Sequence, residues 1–258
     1  MKRSSRLLGT RRHALLTAVV LLAATSASEA AAGAGPGPLG VTAVAAVTGR
    51  SVRIGALFAV ADARRLTGEH FCTASVVHGP HHNLIVTAAH CLGEEQAAGG
   101  LVFAPGYRDG RAPYGLWTVK RSFLPVGWAK GQDEDSDVAF AVLAPRGGEG
   151  VEDAVGANRF VTRTATGATA VTVTGYPDSR ETPITCTNRP VAHSGTQQRI
   201  DCPGFTGGTS GSPWVNGDGE VVGVLGGHEQ GGATADISYS VVLGREAGQL
   251  YREAAADP

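Results

Sequence analysis

The stretch Thr206-Gly207-Gly208-Thr209-Ser210-Gly211-Ser212-Pro213-Trp214 sets a serine among glycines, just ahead of a proline and a tryptophan. Glycines before and after Ser210 permit a tight backbone turn in which the hydroxyl points outward and neighbouring N–H groups converge. Taken alone it is an ordinary Gly/Ser turn. Its weight comes from what else the chain contains. Acyl transfer requires a hydroxyl nucleophile, a base to take its proton, an acid to orient that base, and donors for the developing oxyanion. One candidate for each is present.

The candidate base stands upstream in Asn83-Leu84-Ile85-Val86-Thr87-Ala88-Ala89-His90-Cys91, an apolar run ending in a histidine beside a cysteine. A single histidine in such a place is most often a packed or capping residue. The candidate acid lies between the two, in Asp133-Glu134-Asp135-Ser136-Asp137, followed by Val138-Ala139-Phe140-Ala141-Val142-Leu143. Most acids in such a cluster merely solvate a loop. Asp137 differs because it adjoins the apolar run, where a carboxylate loses water and needs a partner.

Around these motifs the recurring unit is a short β-type run punctuated by Gly, Pro, Asn or Asp. Strands are expected over residues 53–60, 71–77, 83–87, 116–119, 138–143, 170–174, 195–200, 212–215, 220–225 and 237–242. The exception is the end of the chain, where Leu243, Ala247, Leu250 and Tyr251 recur at helical spacing and predict a helix over residues 243–256. Many short strands with close turn signals indicate an all-β sandwich or barrel, and the length suffices for two barrels with a cleft between them.

The 258 residues are 42% hydrophobic and 17% charged, with a formal net charge of −1, which excludes a disordered polyelectrolyte. The 37 glycines follow no three-residue period, so a collagen-like chain is excluded too. Nucleic-acid binding generally requires a clearly basic domain, and this chain is not one. Lys2, Arg3, Arg6, Arg11 and Arg12 precede an apolar run from Ala14 to Ala24 and small residues at Ser28 and Ala30. This pattern predicts an export signal over residues 1–30, since the run falls far short of the ~20 residues a membrane span needs. Its removal leaves a mildly acidic chain. Residues 31–50, rich in Ala and Gly, read as a pro-region or flexible tail, and residues 51–258 as the folded domain.

Export also decides how the cysteines are read. In an oxidising compartment Cys72, Cys91, Cys186 and Cys202 are expected to be bridged, and no C-x-x-C pair suggests a metal site. Three pairings are open. Cys72–Cys91 with Cys186–Cys202 is the one compatible with two local hairpins, each bridge closing a loop of roughly 16 to 20 residues and contributing about 3 kcal/mol.

As a set, the motifs resemble the trypsin/chymotrypsin-like serine proteases. Thr87-Ala88-Ala89-His90-Cys91 is similar to the family's histidine motif, Asp137-Val138-Ala139 to its aspartate motif, and Gly208-Thr209-Ser210-Gly211-Ser212-Pro213 to its serine motif, in the family's order. Val171-Thr172-Val173-Thr174-Gly175-Tyr176-Pro177 further resembles the bacterial glutamyl endopeptidase branch. The resemblance implies two packed six-stranded antiparallel β-barrels, of about residues 51–150 and 151–242, with the C-terminal helix appended. It implies a secreted serine endopeptidase with His90, Asp137 and Ser210 as a catalytic triad and the N–H groups of Gly208 and Ser210 as oxyanion hole. Thr206 and Leu225 would line the pocket, the run through Leu225, Gly226 and Gly227 would pair with an extended substrate, and Cys72–Cys91 would pin the loop bearing the base. Polypeptide substrates are expected, with no nucleic acid, no membrane after signal removal, a monomeric state and no cofactor.

Two departures from the family matter. The trypsin branch has an acid just before its serine, which pairs with a newly freed N-terminal ammonium; Thr209 stands there and cannot. The glutamyl endopeptidases carry a pocket histidine where this chain has Leu225, and basic specificity would need an acid where Gly204 stands. Uncharged or apolar side chains are therefore the expected preference. His193 and His228 are weighed as surface or core histidines rather than substitutes, and His78, His81 and His82, in a Gly/Pro loop, read as solvated; no metal is assigned. An α/β-hydrolase is disfavoured, because Ser212 occupies the final glycine of its nucleophile elbow and alternating helices are missing. The reading from another class is a catalytically silent protease-like module that binds peptides or proteins.

Overall fold

In a computed structural model that describes residues 38–93, 100–232 and 234–258, the first strand is β1 (Thr42–Val44). The six strands that follow belong to one closed barrel: β2 (Ile54–Ala59), β3 (Cys72–Val76), β4 (Leu84–Thr87), β5 (Leu101–Pro105), β6 (Trp117–Phe123) and β7 (Ala139–Leu143). Their spatial order is β2-β3-β4-β7-β6-β5, and the pairings are antiparallel.

Strands β4 and β7 explain why their sequences are apolar without alternation. Ile85, Ala139, Ala141 and Leu143 face the barrel interior with Leu57 and Phe103. Their neighbours Leu84, Val86, Phe140 and Val142 point the other way and are just as buried, against Phe160, Val221, Val224 and Leu250 of the second half. A strand covered on both faces reads as a continuous hydrophobic run. Each Leu, Val or Phe so buried contributes about 1.5–3 kcal/mol relative to exposure.

The second half comprises β8 (Arg159–Phe160), β9 (Val171–Gly175), β10 (Ile184–Asn188), β11 (Val191–Ala192), β12 (Gln197–Asp201), β13 (Pro213–Asn216), β14 (Glu220–Val224) and β15 (Ile237–Val241). These strands fall into a six-stranded sheet, β1-β10-β9-β13-β14-β8, and a three-stranded sheet, β11-β12-β15. Bonds from Val224 N to Ser240 Oγ at 2.9 Å and from Gly226 N to Tyr239 O at 2.9 Å join the two sheets. Within the larger sheet β8 runs parallel to β14, the one departure from the antiparallel pattern among the paired strands described. Between the sheets Val173, Ile184, Ile200, Phe205, Trp214 and Leu225 form the core, with the second disulfide among them.

Three short or amphipathic α-helices complete the described residues: α1 (Val126–Gly131), α2 (Val151–Val155) and α3 (Arg245–Ala255). Ala247, Leu250 and Ala254 of α3 lie against Phe140 and Val142 of β7, and Tyr251 packs on Phe140 and Phe160 with ring centres 5.7 and 5.2 Å away. No helix among the described residues is long and apolar enough to cross a membrane.

The expected export signal, residues 1–30, and the first part of the 31–50 segment, through residue 37, lie outside the described residues. The rest of that segment is not a free tail. β1 pairs with β10, Gly40 N donates to Thr187 O at 2.8 Å, and Ala45, only 3% exposed, donates from its N to Pro183 O at 2.9 Å. An Ala/Gly-rich composition gave no sign of this because edge pairing uses backbone groups, which composition does not register.

Candidate active site

The candidate acid and base are joined through the first barrel. β4 ends at Thr87, and the chain then tightens into a 3-10 turn, Ala89–Leu92, that presents His90. Asp137 stands two residues before β7, the strand beside β4, so their shared register fixes the separation between acid and base. His90 Nδ1–H donates to Asp137 Oδ2 at 2.8 Å, and the His90 amide donates to Oδ1 at 3.0 Å. The amide of Gly227, from the second half, donates to the same Oδ2 at 2.6 Å. With Nδ1 carrying the proton toward Asp137, the lone pair of His90 faces away from the acid at Nε2.

Asp137 is fully buried. Burial by itself pushes its carboxyl up, but the hydrogen bond and charge of the His90 ring, with the amides of His90 and Gly227, outweigh that and hold it below the usual carboxylate range. The acid therefore stays ionised without water. Trp128 of α1 sits 6.2 Å from His90, centre to centre. The Cys72–Cys91 bridge links β3 to the turn of the base, with its sulfurs within 4.8 Å of a His90 ring nitrogen.

Ser210 is carried by the turn ahead of β13. Gly208 there has φ +84, and a Cβ would lie 2.5 Å from Tyr176 O and 2.6 Å from Asp178 N, so no other residue fits without moving backbone. Gly211, at φ +85, crosses so near Thr73 O and Thr87 Oγ1 that it too excludes a side chain. That crossing brings the turn against the segment leading to His90. The N–H groups of Thr209 and Gly211 donate to Thr206 O at 3.1 Å and Leu225 O at 2.8 Å. Among the described residues the alternate N–H groups, those of Gly208 and Ser210, have no acceptor. Two unclaimed donors beside a serine are the arrangement that stabilises an oxyanion. The Ser210 hydroxyl itself forms no hydrogen bond to His90 among the described residues, and such bonds commonly tighten only with substrate bound.

Beside Ser210 opens a cavity of about 160 Å³ lined by Phe205, Thr206, Thr209, Leu225, Gly232 and Thr234, with no charged side chain on its wall among the described residues. Leu225 is 2% exposed, and Thr209 Oγ1 donates to Thr206 O at 2.6 Å. The run through Gly226 and Gly227 is placed differently from a free edge. Both amides are engaged inside the protein, by Tyr239 O and Asp137 Oδ2, so a substrate strand alongside would meet carbonyl acceptors only. Both expected disulfides are present, Cys72–Cys91 and Cys186–Cys202, across 19 and 16 residues. The side chains of His78 and His82 are exposed, in keeping with the solvated reading, and also contact Glu152 and Asp153 of α2 at 2.7 and 2.6 Å.

Sequence reasoning missed Thr73. It is fully buried, and its hydroxyl donates to Gly208 O at 3.0 Å while accepting from Tyr176 N at 3.0 Å. Only its place in a strand next to a half-cystine hinted at it.

A profile described as a trypsin-like peptidase domain matches residues 72–224, more than half of the chain. The chain belongs to the trypsin-like peptidase family. It is thus a serine endopeptidase hydrolase with a chymotrypsin-like fold, and polypeptides are its substrate class. The peptidase is 30% identical to the crystal structure of protease Anisep from Arthrobacter nicotinovorans, covering 80% of this chain and 96% of that one with a TM-score of 0.69. It is 27% identical to the thermostable serine protease AL20 from an extremophilic microorganism, over 82% and 100% of the two chains, again at 0.69. Against a Glu endopeptidase in complex with MPD the identity is 18%, over 86% and 99%, with a TM-score of 0.65, which shows a shared fold. Among curated proteins the sequence finds no match.

Proposed function

We propose that the peptidase is secreted and cuts polypeptides through an acyl-enzyme on Ser210, with His90 as base, Asp137 as its orienting acid, and Gly208 and Ser210 N–H as oxyanion donors. The observation that carries this reading is the buried Asp137 bound to the His90 ring, in one molecule with a serine in a Gly-rich turn where the amides of Gly208 and Ser210 have no acceptor among the described residues. Nε2 of His90 takes the Ser210 proton as Oγ attacks the scissile carbonyl. Asp137 stabilises the imidazolium through Nδ1 without taking up the proton. The carbonyl oxygen, now negative, is held by the two amides, each contributing roughly 3 kcal/mol in the transition state. The imidazolium then gives its proton to the leaving amine, and water repeats the sequence in reverse to release Ser210.

The uncharged cavity favours small or apolar side chains before the scissile bond. Leu225 offers no donor to a carboxylate, and the wall offers no acid to an ammonium or guanidinium. Secretion is supported by the basic and apolar start of the sequence and by two disulfides, which persist in oxidising compartments. Thr209, spent on Thr206, gives a freed N-terminal ammonium nothing to pair with, so activation, where it occurs, unblocks the cleft instead. The protein acts as a monomer. Digestion of a peptide library, with cleavage positions read by mass spectrometry, tests the preference. Cleavage after Ala, Val or Leu is expected, and strong selectivity for Glu, Lys or Arg would contradict it.

A further inference from the structure

Among the described residues outside the proposed triad, one group of ligand-type side chains converges at the turn that follows Gly227. His193, after β11, and His228 and Glu229, in the 3-10 turn His228–Gly231, each bring a ligand atom to within 4.8 Å of the others. The two imidazoles are 5.5 Å apart, and both pack on Tyr239 of β15, at 4.7 and 5.0 Å between ring centres. Tyr239 OH donates to Glu229 Oε2 at 2.8 Å, holding that carboxylate on the same side as the rings. The fourth participant comes from the first half: Glu134 Oε2 lies 3.2 Å from His228 Nδ1.

We infer that His193, His228 and Glu229 form a site for a zinc-type divalent cation, with Glu134 orienting His228. Two imidazoles and one carboxylate are a zinc donor set, which leaves a fourth position to water. Bond lengths near 2.0–2.2 Å require the three donors to draw in by roughly an ångström or more from their present limit of spacing, within reach of the half-exposed or exposed side chains concerned. Glu134 supplies what a metal-binding histidine generally has, a carboxylate on the ring nitrogen away from the metal, which fixes the tautomer and leaves Nε2 for coordination. Calcium and magnesium, which take oxygen ligands, do not suit the pair of imidazoles.

The site sits where it can act on the chemistry. Gly227, whose amide holds Asp137, immediately precedes His228, and Glu134 lies three residues before Asp137. A cation clamping His228 and Glu229 ties both segments together at the rim of the cleft and slows hydrolysis, an effect that rests on the function proposed above, whereas the binding itself does not.

The test is equilibrium dialysis of the folded protein with Zn2+, beside Ca2+, on the parent chain and on His193→Ala, Glu229→Gln and Glu134→Gln, each checked for an unchanged melting temperature without metal. Expected are Zn2+ binding that His193→Ala and Glu229→Gln abolish, weakening of about tenfold in Glu134→Gln, no Ca2+ at the site, and Zn2+ inhibition of peptide hydrolysis in the parent that His193→Ala escapes. Zn2+ binding and inhibition unchanged in His193→Ala would place the metal at His90 or elsewhere and overturn the inference. So would absence of Zn2+ binding in the parent.

Discussion

The amide of Thr73 donates to the carbonyl of Ser210 at 2.7 Å, fastening the serine turn to the barrel that carries His90. The same residue holds Gly208 and Tyr176 through its hydroxyl and receives Thr87 Oγ1 on its carbonyl at 2.7 Å, three positions before His90. One buried threonine thus ties together the proposed nucleophile, the turn of Gly208 and the segment leading to His90. Thr73→Val keeps the shape but leaves Tyr176 N–H without its acceptor. A loss of about 1–3 kcal/mol in urea unfolding is expected, with lowered kcat, and Thr73→Ser is expected to restore both. A valine variant of parental stability and rate would show that the hydroxyl has no such part.

Asp137 gives the account its pH dependence. Its carboxyl is held below the ordinary value of 3.8, so the folded state binds the proton more weakly than the unfolded chain. The stabilisation is complete above the unfolded value and fades as pH falls through the folded one. Unfolding free energy measured from pH 6 down to pH 2 should decline in that acid window, and Asp137→Asn should flatten the decline. In the same variant kcat should drop by ~10⁴-fold, because an amide cannot hold the productive tautomer. A kcat within tenfold of the parent would remove Asp137 from the mechanism.

What the sequence disclosed follows from how each element is stabilised. Runs buried on one or both faces were legible: the expected strand at 83–87 is β4, 138–143 is β7, 220–225 is β14, and the helix at 243–256 is α3. Elements held mainly by backbone pairing or turn chemistry were not. β1, β8 and β11 are two or three residues long, and β10 mixes Thr and Asn with Ile and Cys. β5 reads as Leu-Val-Phe-Ala-Pro behind a Gly-rich stretch, a run too short to separate from a loop. The site behaved likewise. His90, Asp137 and Ser210 were readable as motifs, whereas Thr73 and the engaged amides of Gly226 and Gly227 depend on contacts between distant segments.

Leu225, buried in the lining of the cavity beside Ser210, is the residue on which the proposed side-chain preference turns. Leu225→His introduces a donor facing a substrate carboxylate with Thr206 alongside. The expected result is about a tenfold or greater rise in kcat/KM for Glu relative to Leu before the scissile bond, the yield of one charge-assisted hydrogen bond. An unchanged ratio would place the specificity determinant elsewhere.

The two disulfides should differ in function and agree in stability. Each closes a loop of 16 to 19 residues, and loss of either should cost about 3 kcal/mol in thermal or urea unfolding. Cys72→Ser with Cys91→Ser frees the turn of His90 and should lower kcat. Cys186→Ser with Cys202→Ser loosens the segment entering Phe205 and Thr206 and should raise KM. Equal kinetic effects from both pairs would deny the first bridge its part in holding the base.

The most direct measurement is the stoichiometry of labelling by a fluorophosphonate, which reacts with a serine only when a base and oxyanion donors act on it together. The folded, processed protein should take up one label per chain, on Ser210, and Ser210→Ala and His90→Ala should take up none. Properly folded parent protein that stays unlabelled would contradict the assignment of His90, Asp137 and Ser210 as one catalytic unit and favour a protease-like module that only binds.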